Sequence, residues 1–166
     1  MSPNAVYTYG YTSSTPADLA AYVKELDAYL IDIRFSPRSR VPQWRGHMLY
    51  EVMGMTAHGR PRYRHIGELG NVNYLTDGPI QLAAPEEGVR EIAPYLAARP
   101  VILLCGCRDW RACHRRAAAA LIAATLGGTI THLAGRYATN WQDGLSTLDG
   151  MRVSTPGWRL GEGRVS

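Results

Sequence analysis

The most constraining feature of this sequence is an apolar run at residues 101–104 that leads towards an alanine-rich segment at residues 113–126. Pro100 and Gly106 flank the run, as is typical of a buried parallel strand, and the alanine-rich segment has the composition of a helix. Residues 105–116 include all three cysteines and four of the seventeen arginines. Ligands of open α/β sheets collect beyond the carboxyl ends of strands, where helix N-termini attract anions. We therefore expect a reactive, anion-binding loop here.

The first part of the chain predicts a β-α-β unit. Thr15 has the character of an N-cap, Pro16 suits the first helical position, and apolar residues recur at helical spacing up to residue 26. Strands at residues 6–11 and 29–34 enclose this helix. Because parallel strands joined by a helix cross over right-handedly, both strands should end at the same edge of the sheet.

The remaining elements extend this pattern into one domain. In order they are a helix near residues 43–57, a short strand at 61–66, a loop of about 18 residues, a helix at 85–98 interrupted by Pro94, the strand at 101–104, the helix at 113–126 and a last strand near 129–133. We predict a Rossmann-like α/β domain with a mostly parallel sheet over residues 1–133. An irregular, glycine-rich extension follows at 134–166 and docks partly through Trp141 and Trp158.

The basic residues are almost all arginines, with Lys24 the only lysine, and the net charge is +4. Eleven of the arginines fall in clusters at 34–45, 60–64 and 108–116. Arginine makes planar, bidentate contacts to phosphate or carboxylate that lysine does not reproduce. The clusters favour an anionic ligand, although a GC-rich coding bias or a solvated basic face explains the same count.

The cysteine count and the hydropathy pattern bear on the compartment. Three cysteines are an odd number, and the first residues lack the charged and apolar regions of a secretory signal. No apolar run reaches the roughly 18 residues needed to span a bilayer. These features predict a protein of the reducing cytoplasm without a membrane partner, and they give no indication of oligomeric state.

Two motifs give the sequence a family resemblance: Asp-x-Arg-x-x-Pro-Arg-Ser at residues 32–39 and Cys-His-Arg at residues 113–115. With His65-Ile-Gly67-Glu68 between them, they resemble the uncharacterised family catalogued as domain of unknown function 488. The resemblance implies a three-layer α/β/α fold whose motif residues gather at one site, namely Asp32, Arg34, Pro37, Ser39, Cys105, Cys113, His114 and Arg115. Cys107 and Arg116 depart from the family pattern and inherit no role.

Asp32 and Arg34 alternate to the same face of the second strand and should meet side by side near its end. A paired aspartate and arginine either braces the loop or takes part in ligand recognition. In the second interpretation, Arg34 and Arg38 receive a phosphate while Asp32 serves as a general base or orients a hydroxyl.

Cys105 admits three interpretations. Its spacing to Arg111 matches the Cys-x5-Arg loop of cysteine-dependent phosphatases, and a rhodanese-type sulfurtransferase would carry a persulfide on the same residue. The loop lacks the glycines that turn consecutive amides inward, and Trp110 is bulky where a small residue would help. Cys105 alternatively packs as a small buried hydrophobe.

No cofactor is predicted, but four soft ligands leave a zinc site as an alternative. Cys105, Cys107, Cys113 and His114 lie within ten residues. Adjacent residues on a helix point about 100° apart, so Cys113 and His114 both reach one ion only if the helix begins after them.

The start of the alanine-rich helix is the predicted anion site. The helix dipole at His114 and Arg115 disfavours extra positive charge, so both residues are more stable with an anion present. Alternatively, His114 caps its own helix and Arg115 pairs with Asp109. His65 and Glu68, near the end of the third strand, either supply acid or base chemistry to the same cleft or are structural.

We therefore predict that the chain binds a phosphorylated small molecule, a nucleotide or a nucleic-acid end, and acts as a hydrolase or transferase at a phosphoester or N-glycosidic bond. The predicted catalytic residues are Asp32, Cys105, Cys113 and His114. The predicted ligand-binding residues are Arg34, Arg38, Ser39, His65, Glu68, Arg111 and Arg115. The alternatives are a non-catalytic nucleic-acid-binding module and a cysteine-dependent phosphatase or sulfurtransferase. Such a site requires the turns after the second and fourth strands to converge.

Overall fold

The computed structural model describes residues 4–12, 14–107, 110–133 and 152–153. The strands in these ranges are β1 (Ala5–Gly10), β2 (Tyr29–Asp32), β3 (Tyr63–His65), β4 (Val101–Cys105), β5 (Thr129–Leu133) and β6 (Arg152–Val153). The α-helices are α1 (Pro16–Glu25), α2 (Gly46–Met53), α3 (Pro85–Ala98) and α4 (His114–Leu126). Short 3₁₀ turns cover Pro42–Trp44, Gly67–Leu69 and Trp110–Ala112.

The sheet has helices on both faces. Five strands pair in parallel in the order β3-β2-β4-β1-β5, and β6 adds antiparallel to β5. Leu30 and Ile102 pack with α1 and α2, whereas Ile31 and Leu103 pack with α3 and α4 on the other face. Strands covered on both faces need nearly continuous apolar runs, which explains the composition of residues 101–104. The predicted three-layer α/β/α architecture is confirmed.

The order of the strands opens a crevice at one edge of the sheet. β4 lies between β2 and β1, and the helices after β1 and β2 pack on the opposite face from the helix after β4. Connections that diverge in this way from neighbouring strands leave a ligand crevice at the carboxyl ends. Asp32 pairs with Leu104, so the turns after β2 and β4 leave the sheet side by side. Their predicted convergence is confirmed.

Local signals set the helix boundaries. Thr15 and Asp18 form the capping box at the start of α1, with Pro16 in the first position, as the sequence indicates. The second helix is shorter than the predicted 43–57, because extended backbone at Arg45 separates the 3₁₀ turn from α2 and Gly54, at φ 70°, ends α2. The third helix continues through Pro94, where the sequence predicted an interruption.

The long loop after β3 folds back on itself. Its start is the 3₁₀ turn Gly67–Leu69, and an antiparallel bridge joins Asn71 to Leu82. The Asn71 side-chain oxygen accepts hydrogen bonds from the backbone N–H groups of Asn73 and Gln81, at 3.1 and 3.0 Å. These bonds hold the loop against the carboxyl edge of the sheet, where it contributes to the cleft described below.

Most of the predicted extension lies outside the described residues, including Trp141 and Trp158. Its described part is the two-residue strand β6, which pairs with β5. Within the described ranges, none of the helices combines the length and the apolar character that a bilayer crossing requires.

A buried histidine should make the stability of this fold depend on pH. His132 of β5 lies with its Nδ1 2.6 Å from the hydroxyl of Thr8 in β1. Burial, and then the charges of Arg115, Arg116 and Arg111, lower the pKa of His132 from 6.5 to about 3. Below pH 6.5 the His132 side chain binds a proton in the unfolded chain but stays neutral in the folded chain. The free energy of unfolding therefore decreases as the pH falls from about 6.5 towards 3.

We expect the free energy of unfolding to fall in this window by up to about 1.4 kcal/mol per pH unit from this residue alone. Urea unfolding of His132→Gln and of the exposed control His58→Gln between pH 4 and 7 measures the effect. His132→Gln should show the flatter profile, and His58→Gln should follow the parent. Identical slopes for His132→Gln and the parent would contradict the prediction.

Candidate functional site

A cleft of about 540 Å³ lies beyond the carboxyl ends of β1, β2 and β4. The turns after these strands and the long loop after β3 form its walls. Of the predicted site residues, Arg34, Arg38 and His114 line the cleft, and so does Cys107. The structure therefore brings part of the predicted set together at one surface and places the remainder beneath or beside it.

Asp32 and Arg34 form a buried ion pair at the end of β2. Arg34 Nε donates to Asp32 Oδ1 at 2.8 Å and Arg34 Nη2 donates to Oδ2 at 2.6 Å, a bidentate arrangement. Oδ1 also accepts from the Arg34 backbone N–H, and Oδ2 accepts from the Tyr63 hydroxyl at 2.7 Å. Arg34 Nη1 donates to the Trp44 carbonyl at 2.8 Å. The carboxylate is fully buried, whereas the guanidinium reaches the cleft.

These contacts make Asp32 the brace that one interpretation of the sequence predicts. Its two oxygens already accept four hydrogen bonds, so its action on the cleft passes through Arg34. Burial and then the charge of Asp32 raise the pKa of Tyr63, which keeps the phenol protonated as a donor. The acid/base role predicted for Asp32 stays a prediction.

The other predicted residues of this wall have different positions. Arg38 is exposed and lines the cleft. Ser39 turns the loop, because its hydroxyl accepts from the Val41 N–H at 3.1 Å. His65 donates from Nε2 to the Arg34 carbonyl at 2.8 Å and so supports the loop from behind. Glu68 lies in the 3₁₀ turn after β3, and its carbonyl accepts from the N–H of residue 84.

The second wall rests on a group of buried sulfur and nitrogen atoms. The sulfurs of Cys105 and Cys113 are 2.6 Å apart, and all three cysteines carry free thiols. His114 Nδ1 lies 3.7 Å from the Cys113 sulfur, and the ligand atoms of these three residues all lie within 4.8 Å of one another. Cys107 follows Cys105 by two residues, its backbone N–H donates to the Cys105 sulfur at 3.4 Å, and the residue lines the cleft. We call Cys105, Cys107, Cys113 and His114 the thiol–imidazole cluster.

Arg115 is buried beside this cluster. Its Nη1 donates to the Cys105 sulfur at 3.4 Å and to the Cys107 carbonyl at 2.8 Å. A Cβ atom at Gly10 would collide with that guanidinium and that carbonyl, so this position of β1 requires glycine. Arg111, which the Cys-x5-Arg spacing pairs with Cys105, is exposed on the 3₁₀ turn before α4. The guanidinium that reaches the Cys105 sulfur is therefore that of Arg115.

The start of α4 differs from the alternative in which His114 caps its own helix. The N-cap is Cys113, whose sulfur accepts from the Arg115 N–H. His114 instead donates from Nε2 to the Ile33 carbonyl at 2.9 Å, which ties α4 to the turn after β2. Asp109, the expected partner of Arg115 in that alternative, lies outside the described residues.

The environment of Cys105 bears on the phosphatase and sulfurtransferase alternatives. Burial raises the pKa of the Cys105 thiol to about 11, which keeps it protonated at neutral pH. Its side chain is fully buried and does not line the cleft. Hydrogen bonds from the neighbouring thiols and His114 lower the pKa of Cys107, the cysteine that does line it.

The structure adds cleft residues that sequence reasoning missed. Phe35 and Tyr74 line the cleft with half-exposed rings, and Asn71 and Asn73 accompany them. Phe35 follows the Asp-x-Arg motif directly, which is a signal that could have pointed to it. The other three come from the long loop after β3, which the sequence predicts as a loop without pointing to these side chains.

The fold and this cleft define an α/β protein with a crevice where the sheet connections diverge. The family model described as "Domain of unknown function DUF488" matches residues 23–122, more than half of the chain. This protein belongs to that family, as its motifs indicate. No curated protein and no solved structure matches the chain.

The buried ion pair predicts a large effect of one substitution on stability. Asp32→Asn removes the charge that compensates Arg34 while keeping the size of the side chain. Removing one partner of a buried pair leaves an uncompensated charge and costs about 3–5 kcal/mol. Urea unfolding at pH 7 should show a loss of this size in the free energy of unfolding.

Asp27→Asn is the matched control. Asp27 also contacts two arginines, Arg62 and Arg99, but its side chain is 52% exposed. Exposed pairs are worth less than about 1 kcal/mol, and asparagine tolerates the positive φ of this position. Equal losses for the two variants would show that the Asp32–Arg34 pair is no more than a surface pair.

Proposed function

We propose that this protein binds a phosphorylated small molecule, a nucleotide or the phosphorylated end of a nucleic-acid strand, in the cleft beyond β2 and β4. The observation that carries the proposal is the pairing of two chemistries in one cleft. Arg34 and Arg38 provide guanidinium groups, and the rings of Phe35 and Tyr74 provide aromatic surface beside them.

The guanidinium of Arg34 is prepared for an anion. Three of its N–H groups hold Asp32 and the Trp44 carbonyl, and the guanidinium also interacts with the Tyr11 side chain, so part of its capacity of about five N–H donors is left for a ligand. Its position is fixed before the ligand arrives, which lowers the entropic cost of binding. Because Asp32 neutralises Arg34, the net positive charge of this wall comes from Arg38, which forms no ion pair with any described residue.

The aromatic surface is suited to a planar ring. The ring centroids of Phe35 and Tyr74 are 6.0 Å apart at an interplanar angle of 40°. Their side chains are 44% and 54% exposed, so the rings are open to a partner. The amides of Asn71 and Asn73 lie on the same wall and supply polar edges. A cleft of about 540 Å³ has the volume of a small-ligand site.

Other arginines disfavour an extended nucleic-acid surface. Arg62 pairs with Asp27, Arg64 with Glu91, and Arg45 donates to the Ser39 carbonyl. Arg115 is buried. Arg62 and Arg115 are thus used inside the fold, whereas Arg45 and Arg64 are exposed but engaged by these partners. The guanidiniums lining the cleft are those of Arg34 and Arg38. This distribution supports a small ligand or a strand end over a long duplex contact.

Hydrolase or transferase activity in a reducing, cytoplasmic setting is the second part of the proposal. Of the four residues predicted to be catalytic, His114 lines the cleft, and its Nε2 is already bonded to the Ile33 carbonyl. Binding is therefore the function that the geometry supports best. Catalysis is tested separately, by following the bound ligand for conversion.

Calorimetric titration with a nucleoside monophosphate, the corresponding nucleoside and inorganic phosphate tests the binding. We expect the monophosphate to bind most tightly, because it engages both the arginines and the rings. Arg38→Ala should weaken the monophosphate about 10-fold or more, the value of a hydrogen bond to a charged group. Tyr74→Ala should weaken it several-fold and leave inorganic phosphate unchanged.

Arg40→Ala is the control for charge, because Arg40 is an exposed arginine of the same loop that does not line the cleft. It should leave the affinity for the monophosphate unchanged. If neither phosphate compound binds, the proposal fails. Duplex DNA that binds with a steep salt dependence, and that Arg38→Ala and Arg40→Ala weaken equally, would point instead to the non-catalytic nucleic-acid-binding module.

A further inference from the structure

The thiol–imidazole cluster at the floor of the cleft concentrates soft donor atoms in a buried place. Cys105, Cys113 and His114 are at most 8% exposed, yet their sulfur and ring nitrogen atoms face one another within 4.8 Å. Cys107 lies on the cleft side of this group, with its backbone N–H 3.4 Å from the Cys105 sulfur, and offers a fourth soft side chain. Four soft donors of the Cys₃His type are the ligand set of tetrahedral zinc sites.

The orientation of His114 is that of a metal-binding imidazole. The Ile33 carbonyl only accepts hydrogen bonds, so the ring nitrogen 2.9 Å from it, Nε2, carries the proton. In the neutral ring the lone pair is then on Nδ1, which faces the Cys113 sulfur. Metal-binding histidines are held in this way, with the distal N–H donated to a backbone carbonyl.

The backbone at the start of α4 removes the geometric objection to this ligand set. Cys113 precedes the helix with extended dihedral angles, φ −108° and ψ 146°, and His114 is the first helical residue. Neighbouring side chains diverge by about 100° only where both belong to a helix. The sulfur of Cys113 and the ring of His114 therefore turn towards the same side.

Hydrogen-bond donors point at the two buried sulfurs. The Cys107 N–H and Arg115 Nη1 each lie 3.4 Å from the Cys105 sulfur, and the Arg115 N–H lies 3.5 Å from the Cys113 sulfur. Three thiolates and a divalent cation together carry one negative charge. The buried guanidinium of Arg115 supplies the balancing positive charge. Neutral thiols that only pack in an apolar core would not need such a charge beside them.

We propose that Cys105, Cys107, Cys113 and His114 bind one Zn²⁺ ion between the core and the cleft floor. On binding, the three thiols release their protons to solvent, His114 donates the Nδ1 lone pair, and no electron is transferred. The site ties the turn after β4 to the start of α4. The zinc site does not depend on the proposed ligand of the cleft, because its donors do not include Arg34 or Arg38, the residues proposed to bind phosphate.

Metal analysis of the full-length protein, dialysed against Zn²⁺ and then against metal-free buffer without phosphate, tests the proposal. We expect one zinc per chain. Replacement with Co²⁺ should give the intense sulfur-to-cobalt charge-transfer bands and the visible bands of a tetrahedral thiolate site. Titration of thiols under native conditions should find them protected until a chelator is added.

Cys107→Ser is the informative variant, because this residue lies in an exposed loop and its loss should leave the fold intact by circular dichroism. It should weaken zinc binding by more than the roughly 10- to 100-fold that loss of an outer hydrogen-bond partner costs. Its cobalt spectrum should lose one of the three thiolate contributions. His58→Gln removes an exposed histidine away from the cluster and should change neither.

Two results would overturn the inference. A folded protein that retains no zinc and shows three free thiols has an ordinary reduced core at this position. A protein that retains no zinc and shows one free thiol has joined Cys105 to Cys113 in a disulfide. Phosphate binding could fail in either case without affecting the zinc measurement, so the two proposals are tested apart.

Discussion

The ion pair between Asp32 and Arg34 holds together the carboxyl edge of the sheet. Arg34 contacts Asp32 on its own strand and the Trp44 carbonyl in the turn before α2, while Asp32 accepts from Tyr63 of β3. The guanidinium also lies 5.5 Å from the ring centre of Tyr11, after β1. One charge thus links β2 and β3 to the segments that follow β1 and β2. Because a buried charge without a partner is costly, these segments are held in the geometry that satisfies it.

A second buried arginine organises the opposite wall. Arg115 joins the start of α4 to the sulfur of Cys105 and to the carbonyl of Cys107, and it fits because Gly10 has no side chain. His114 then connects this wall to the first through the Ile33 carbonyl. The cleft is therefore formed by two braced walls and not by a flexible gap between loops. Preorganisation of this kind lowers the entropic cost of binding, because the side chains need not be ordered when a ligand arrives.

The two proposals assign different chemistry to two neighbouring turns at the carboxyl edge of the sheet. The turn after β2, with Arg34, Arg38 and Phe35, presents hard donors and an aromatic ring to the cleft. The turn after β4 presents sulfur and imidazole nitrogen, which prefer softer cations. His114 and Cys107 belong to the cluster and also line the cleft, so an ion held there would lie next to a bound ligand. The family that matches residues 23–122 is described as a domain of unknown function, so the chemistry of this edge is left to the proposed experiments.

The sequence by itself determined the β-α-β start, the buried strand at 101–104, the helix after it and the meeting of the turns after β2 and β4. These follow from periodicity, capping and the handedness of crossovers, which act over short stretches of chain. Tertiary structure alone decided that Arg115 and not Arg111 approaches Cys105, that Asp32 is sealed beneath Arg34, and that the loop carrying Tyr74 completes the cleft. These outcomes depend on burial, which decides between possible partners of a side chain even where they are close in the chain. Burial exists only once the layers of the fold have packed.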